Sequence, residues 1–144
     1  MKPNIAQRRR ARSLLVQALY QWKLADALVS DIETEFRSTN KSKVDWEFFH
    51  EVLSAIPSTS SDIDEQMDEY LDRKVGELTP VELSILRLGF FEFTHRIDVP
   101  YTVVINEYVD LAKKFGATES HKYINGVLDK AAQKIRTVEI TANT

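Results

Sequence analysis

At 144 residues, 43% of them hydrophobic and 28% charged, with only 4 Gly and 4 Pro, the chain can bury one domain core and is too apolar to be disordered. It contains no Cys, which excludes disulfides, thiolate metal sites and a Cys nucleophile and suits a reducing compartment. The net charge of −3 hides an uneven distribution: residues 1–12 hold five basic residues and no acid, residues 31–82 hold 14 acids against 5 basic residues, and residues 113–136 hold six basic residues against two acids. An acidic middle between basic ends points to a local polyanion site, and a solubilising distribution with a basic terminus accounts for it equally. No apolar run approaches the roughly 18 residues of a membrane span. The start, MKPNIAQRRRAR, lacks the apolar segment of a secretory signal, so the reading is of a soluble cytoplasmic protein with no membrane contact.

In chain order the apolar spacing predicts helices throughout. From about Ile5 to Leu24, Leu14, Leu15, Ala18, Leu19 and Trp22 recur every three or four residues. Ser30 to Phe36 reads as a short helix, and Val44 to Ile56 as a longer one that Pro57 ends. Ser61 precedes an acidic helix carrying Ile63, Met67, Tyr70, Leu71 and Val75, most of whose acids read as a solvated face. Thr79-Pro80-Val81-Glu82 combines an N-cap Thr, a Pro at the first helical position and a Glu three residues after the cap, which is a capping box. The helix it opens is apolar around most of its circumference and is expected to be central. Pro100 opens a further helix to Phe115, where Gly116 is expected as a left-handed C-cap, and a last helix runs from Ser120 to Arg136. The fold class is all-α, with about seven helices.

Catalysis has little support. His50-Glu51 begins like a zinc-protease signature, but Ser54 stands where the second His should be. No nucleophile elbow, P-loop or dinucleotide fingerprint occurs, so no enzyme activity, metal or cofactor is assigned. Binding has more. Arg8, Arg9, Arg10 and Arg12 open an amphipathic helix, and the planar guanidinium pairs with phosphate in two-point fashion and stacks on unpaired bases. Basic amphipathic helices also serve membrane surfaces and calmodulin-like partners. The start of the last helix offers unpaired N–H groups and partial positive charge, with Ser120, Lys122 and Tyr123 beside it. Those residues fit an anion site. They fit equally a start capped by Thr118 or Ser120 with Tyr123 in the core.

The runs RRRARSLLVQALYQW (Arg8 to Trp22), ELTPVELSILRLGFFEF (Glu77 to Phe93) and DVPYTVVINEYVDLAKKFGATESHKYINGVLDKAA (Asp98 to Ala132) resemble the NusB family of bacterial transcription antitermination factors. The resemblance covers nearly the whole chain. Residues in the 40s and 50s match only in pattern, and Thr118-Glu119, Tyr123 and Ile124 depart conservatively from the family form. The resemblance implies two packed helical subdomains with the break near the TSSD (Thr59 to Asp62) or VGEL (Val75 to Leu78) stretch, taken as roughly 1–75 and 76–138, with a disordered tail at 139–144. It also implies a role, namely binding boxA RNA jointly with the ribosomal protein NusE, so that RNA polymerase carrying the antitermination complex reads through terminators, notably in ribosomal RNA operons. The matching RNA surface is Lys2, Arg8, Arg9, Arg10, Arg12 and Gln17, joined by Glu119, Ser120, His121, Lys122, Tyr123 and Asn125. The matching NusE surface includes Tyr20, Leu24, Glu77, Val81 and Glu82, where acidic charge complements a basic ribosomal protein. A homodimer is left open. The alternatives are an RNA-recognition domain related to the N-terminal domain of a ribosomal RNA methyltransferase and a helical adaptor without RNA contact.

Overall fold

The computed structural model describes residues 4–116 and 119–142. Among the described residues seven α-helices follow one another: α1 (Ile5–Ala25), α2 (Val29–Thr39), α3 (Trp46–Asp68), α4 (Pro80–His95), α5 (Tyr101–Phe115), α6 (Ser120–Ile135) and α7 (Thr137–Ala142), with one 3-10 turn at Val75–Glu77. No strand occurs among the described residues. None of these helices is long and apolar enough to cross a membrane. The chain forms two compact units, Met1–Ser60 and Ser61–Thr144.

The expected break at Pro57 does not occur. Pro57 lies inside α3, at an exposed position. It lacks the N–H of one helical bond, but the apolar stripe of Phe49, Val52, Leu53 and Ile56 continues in register to Ile63 and Met67, all buried. Burial on both sides outweighs the local preference of one residue. The two helices expected at 44–56 and 61–75 are therefore one, and the units divide within it at Ser60/Ser61, in the first of the two stretches where a break is expected. The seventh helix lies instead at 137–142, in the segment expected to be partly a disordered tail.

In the first unit α1 packs on α2, and Leu15, Leu19, Ile32, Phe48 and Phe49 are essentially inaccessible. In the second, α4, α5 and α6 pack on one another. As its composition predicts, α4 is buried around most of its girth. Gly89 is the close-approach point, since a Cβ there would stand 2.9 Å from Leu128 Cδ2 of α6. The expected capping box is present: Thr79 Oγ1 accepts from Glu82 N at 3.1 Å and Glu82 Oε1 accepts from Thr79 N at 3.0 Å. Gly116 ends α5 differently from expectation, with extended backbone (φ −92°, ψ 177°). A side chain there is excluded by space, because a Cβ would meet Ala112 O at 2.8 Å. The left-handed C-cap belongs to Asp26, at the end of α1 (φ 51°).

Arg136, 4% exposed, closes the second unit. Its guanidinium donates to the carbonyls of Phe93 (2.9 Å), Val99 (2.9 Å), Glu92 (3.1 Å) and Arg96 (3.1 Å), and to Glu139. The final carbonyls of α4 and the loop to α5 are thus satisfied by one side chain from the end of α6. Removing it takes this donor from the carbonyls of Phe93 and Val99, while Glu92 O and Arg96 O keep backbone bonds from Arg96 N and Val99 N and Glu139 keeps Tyr101 N. Arg136→Ala is expected to cost about 3 kcal/mol or more in urea unfolding, and Arg136→Lys to recover less than half of that, because an ammonium cannot reproduce the planar fork.

Candidate nucleic-acid interface

The first cationic surface is built on the opening turns of α1. Asn4 caps the helix by accepting from Gln7 N at 2.8 Å, and no acid stands in the first turn to offset the arginines. The compensating acid comes from the start of α3. Asp45, 3% exposed, accepts from Phe48 N through Oδ1 at 3.1 Å and from Arg8 Nε through Oδ2 at 2.8 Å. The guanidinium carbons of Arg8 and Arg12 lie 4.4 and 5.3 Å from the centroid of the Phe48 ring, a cation–π arrangement. Arg12 is 3% exposed, so this arginine, expected at the RNA surface, belongs to the interior. Arg9 and Arg10 are exposed. Arg10 Nη1 donates to Lys43 O at 2.8 Å, one of its five N–H donors. Gln17, two turns further on, is also exposed, with Nε2 3.3 Å from Ser13 O. Lys2 lies outside the described residues.

The second surface is the start of α6. Glu119 occupies the N-cap position without a side-chain cap bond. Ser120 is 8% exposed, and its hydroxyl donates to Glu82 Oε2 at 3.0 Å, so it faces a carboxylate rather than the outside. His121 is half-buried, and Lys122 and Asn125 are exposed. Lys122 Nζ lies 3.3 Å from Glu119 Oε2, an open surface pair of little worth that phosphate can displace. Thr118, the other expected cap, lies outside the described residues.

Tyr123 is half-buried, and the Arg73 guanidinium lies 4.1 Å from its ring centroid. Its hydroxyl is shielded and lacks a well-formed hydrogen bond. Burial first, and then the Asp72 carboxylate nearby, push its pKa up, while a hydrogen bond from Arg73 holds Asp72 down. A groove of about 340 Å³ runs beside it, lined by Tyr70, Leu71, Asp72, Lys122, Tyr123 and Lys130 among others. Cation, ring and cleft together suit a nucleotide, with stacking on an aromatic face and ammonium groups for phosphate.

Sequence reasoning missed Asp45 and Phe48, although Asp three residues before Phe48 is an N-cap signal, and it missed Arg73, which spacing alone does not bring to α6. At the expected partner surface, Tyr20 (41%) and Leu24 (56%) are exposed apolar side chains near the end of α1. Glu77 is exposed and accepts from Lys74 N at 3.0 Å, and Val81 is half-buried. Glu82 is 7% exposed, and both its carboxylate oxygens are engaged inside the fold.

His50 has both its neighbours on one ring nitrogen. Nδ1 lies 2.8 Å from Glu33 Oε1 and 3.5 Å from Ser54 Oγ, which is not the two-nitrogen relay that activates a serine. Among the described residues no group of three or more acidic, His or Cys side chains could hold a metal ion.

The NusB family model matches residues 9–133. The chain belongs to the NusB family. It is 55% identical over 133 residues to the transcription antitermination protein NusB of Alcanivorax borkumensis, covering 92% of this chain and 89% of that protein. With the NusB of Pseudomonas entomophila it shares 52% over 139 residues, or 96% and 84% of the two chains. A structure of T. maritima NusB superposes with a TM-score of 0.79 at 29% identity, covering 93% of this chain and 94% of that one. A crystal structure of antitermination factors NusB and NusE in complex with dsRNA superposes with a TM-score of 0.79 at 25% identity, covering 89% of this chain and 97% of that one.

The raised Tyr123 pKa has a measurable consequence. A folded-state pKa above the unfolded value means stability that is complete below pH 10 and is lost as pH rises through the folded pKa. Absorbance titration at the phenolate band is expected to show a component ionising above 10.0 that Tyr123→Phe removes. Asp72→Asn is expected to bring that component only part of the way back, since burial is the larger cause.

Proposed function

We propose that this protein is a transcription antitermination factor that binds boxA RNA together with the ribosomal protein NusE, so that RNA polymerase reads through terminators, notably in ribosomal RNA operons. It acts by binding rather than by catalysis, in the cytoplasm, where RNA is being made. The observation that carries this reading is the construction of the α1 surface in a chain of the NusB family. Arg8 and Arg12 are fixed against Phe48 and Asp45, and on that rigid base Arg9, Arg10 and Gln17 stand at exposed positions. A preorganised guanidinium loses less freedom on pairing with phosphate than one on a mobile tail.

At the start of α6 the roles divide further. Lys122 exchanges its surface pair with Glu119 for phosphate, Tyr123 and Arg73 offer stacking faces at the mouth of the groove, and Asn125 can read a base edge. His121, half-buried, is the second donor on that turn. For NusE, the exposed apolar side chains Tyr20 and Leu24 supply contact area in the first unit, and Glu77 and Val81 mark the acidic opening of α4 in the second. The same apolar end of α1 would also serve a homodimer, which makes self-association a competitor of the partner.

The arginine assignment is tested by the salt dependence of RNA binding. Each phosphate contact contributes about 0.7 to the slope of log K against log salt for single strands. Replacing Arg9 and Arg10 together by Ala is expected to flatten the slope by up to about 1.4. An unchanged slope removes both from the interface.

A further inference from the structure

The two oxygens of Glu82 serve two different helices. Oε1 accepts from Thr79 N and completes the capping box of α4, a task that Gln performs in other helices. Oε2 reaches the first residue of α6 and accepts from Ser120 Oγ at 3.0 Å. Capping α4 does not need this second bond. At α6 the N-cap residue Glu119 makes no side-chain cap bond, and the Ser120 hydroxyl, donating to Oε2, ties that helix start to α4. With Glu82 7% and Ser120 8% exposed, the bond is shielded from water and charge-assisted, the class of hydrogen bond that holds geometry best. The end of α5 is shaped around the same hydroxyl. A Cβ at Gly116 would stand 3.1 Å from Ser120 Cβ and 3.4 Å from Ser120 Oγ, so any side chain there presses on the linked residue.

We propose that Glu82 is a positioning residue for RNA recognition, and that its bond to Ser120 couples partner binding at the opening of α4 to RNA binding at the opening of α6. This inference rests on the function proposed above. Ser120 stands two and three residues before Lys122 and Tyr123, so its anchorage sets where that turn presents them. Glu82 shares the first turn of α4 with Val81 and follows Glu77, whose carboxylate already holds Lys74 N. A partner that orders this turn thereby orders the acceptor of Ser120. By linkage, RNA that fixes the α6 turn favours the partner to the same extent.

The test compares the RNA affinity of the protein with and without NusE, using a fluorescent boxA oligonucleotide, for the wild type, Ser120→Ala and Glu82→Gln. Coupling factors between two sites commonly lie at about 5- to 150-fold. Ser120→Ala is expected to bring the factor to within about twofold of unity while NusE affinity in the absence of RNA is unchanged, a split that general loosening of the fold does not produce. Glu82→Gln retains an oxygen for Thr79 and an amide that can bond Ser120, and is expected to keep most of the coupling. Should Ser120→Ala lose its helical signal, Ser120→Cys, nearly isosteric with only a weak donor, carries the same comparison. Wild-type coupling in a folded Ser120 variant overturns the inference and leaves the proposed function standing. A wild type whose RNA affinity ignores NusE overturns both.

Discussion

A carboxylate inside a protein must have its oxygens satisfied, because an ionised group removed from water without partners costs several kcal/mol. The structure meets that constraint twice in the same way. Asp45 gives one oxygen to Phe48 N in the first turn of α3 and the other to Arg8 of α1. Glu82 gives one oxygen to the capping box of α4 and the other to Ser120 of α6. Each carboxylate satisfies a helix start and also bonds a side chain at the start of a second helix, the two starts proposed above as the RNA surface. Asp45 organises the arginine surface in the first unit, and Glu82 organises the Lys122–Tyr123 turn in the second.

This arrangement explains why basic residues gather at helix beginnings, where the macrodipole opposes them. Arg8 and Arg12 are stabilised by Asp45 and by the face of Phe48, so the arginines that remain exposed stand on an ordered base. Lys122 is paired with Glu119 at an open distance of 3.3 Å, a surface pair that an anion can displace. The strong pairs are internal and set position. The Lys122–Glu119 pair is external and weak.

The all-α class and the capping box at Thr79–Glu82 were legible in the sequence because each rests on local chemistry that repeats within a turn or two. Pro57 was misread because a local breaker is overridden when the apolar stripe continues past it in register, as Ile56, Ile63 and Met67 do. Gly116 was correctly marked as necessary for the wrong reason, since its backbone is extended and it is crowding by Ala112 and Ser120 that excludes a side chain. At the candidate site, charge drew attention to Arg8 through Arg12 and to Lys122, yet charge could not say that Arg12 is buried or that the Ser120 hydroxyl faces Glu82. Those facts depend on partners 36 to 38 residues away, as do Phe48 for Arg12 and Glu82 for Ser120. Spacing within one helix contains no information about them.

Under the proposed function, these two helix starts recognise a particular RNA jointly with a protein partner. The most direct measurement is fluorescence-anisotropy binding of the wild-type protein to a boxA RNA and to a scrambled RNA of equal length, with and without NusE, across a salt series. The expected result is a preference for boxA that survives as salt rises and grows when NusE is present. Equal binding to both RNAs, falling in parallel with salt and indifferent to NusE, would contradict it and leave only a basic surface without sequence recognition.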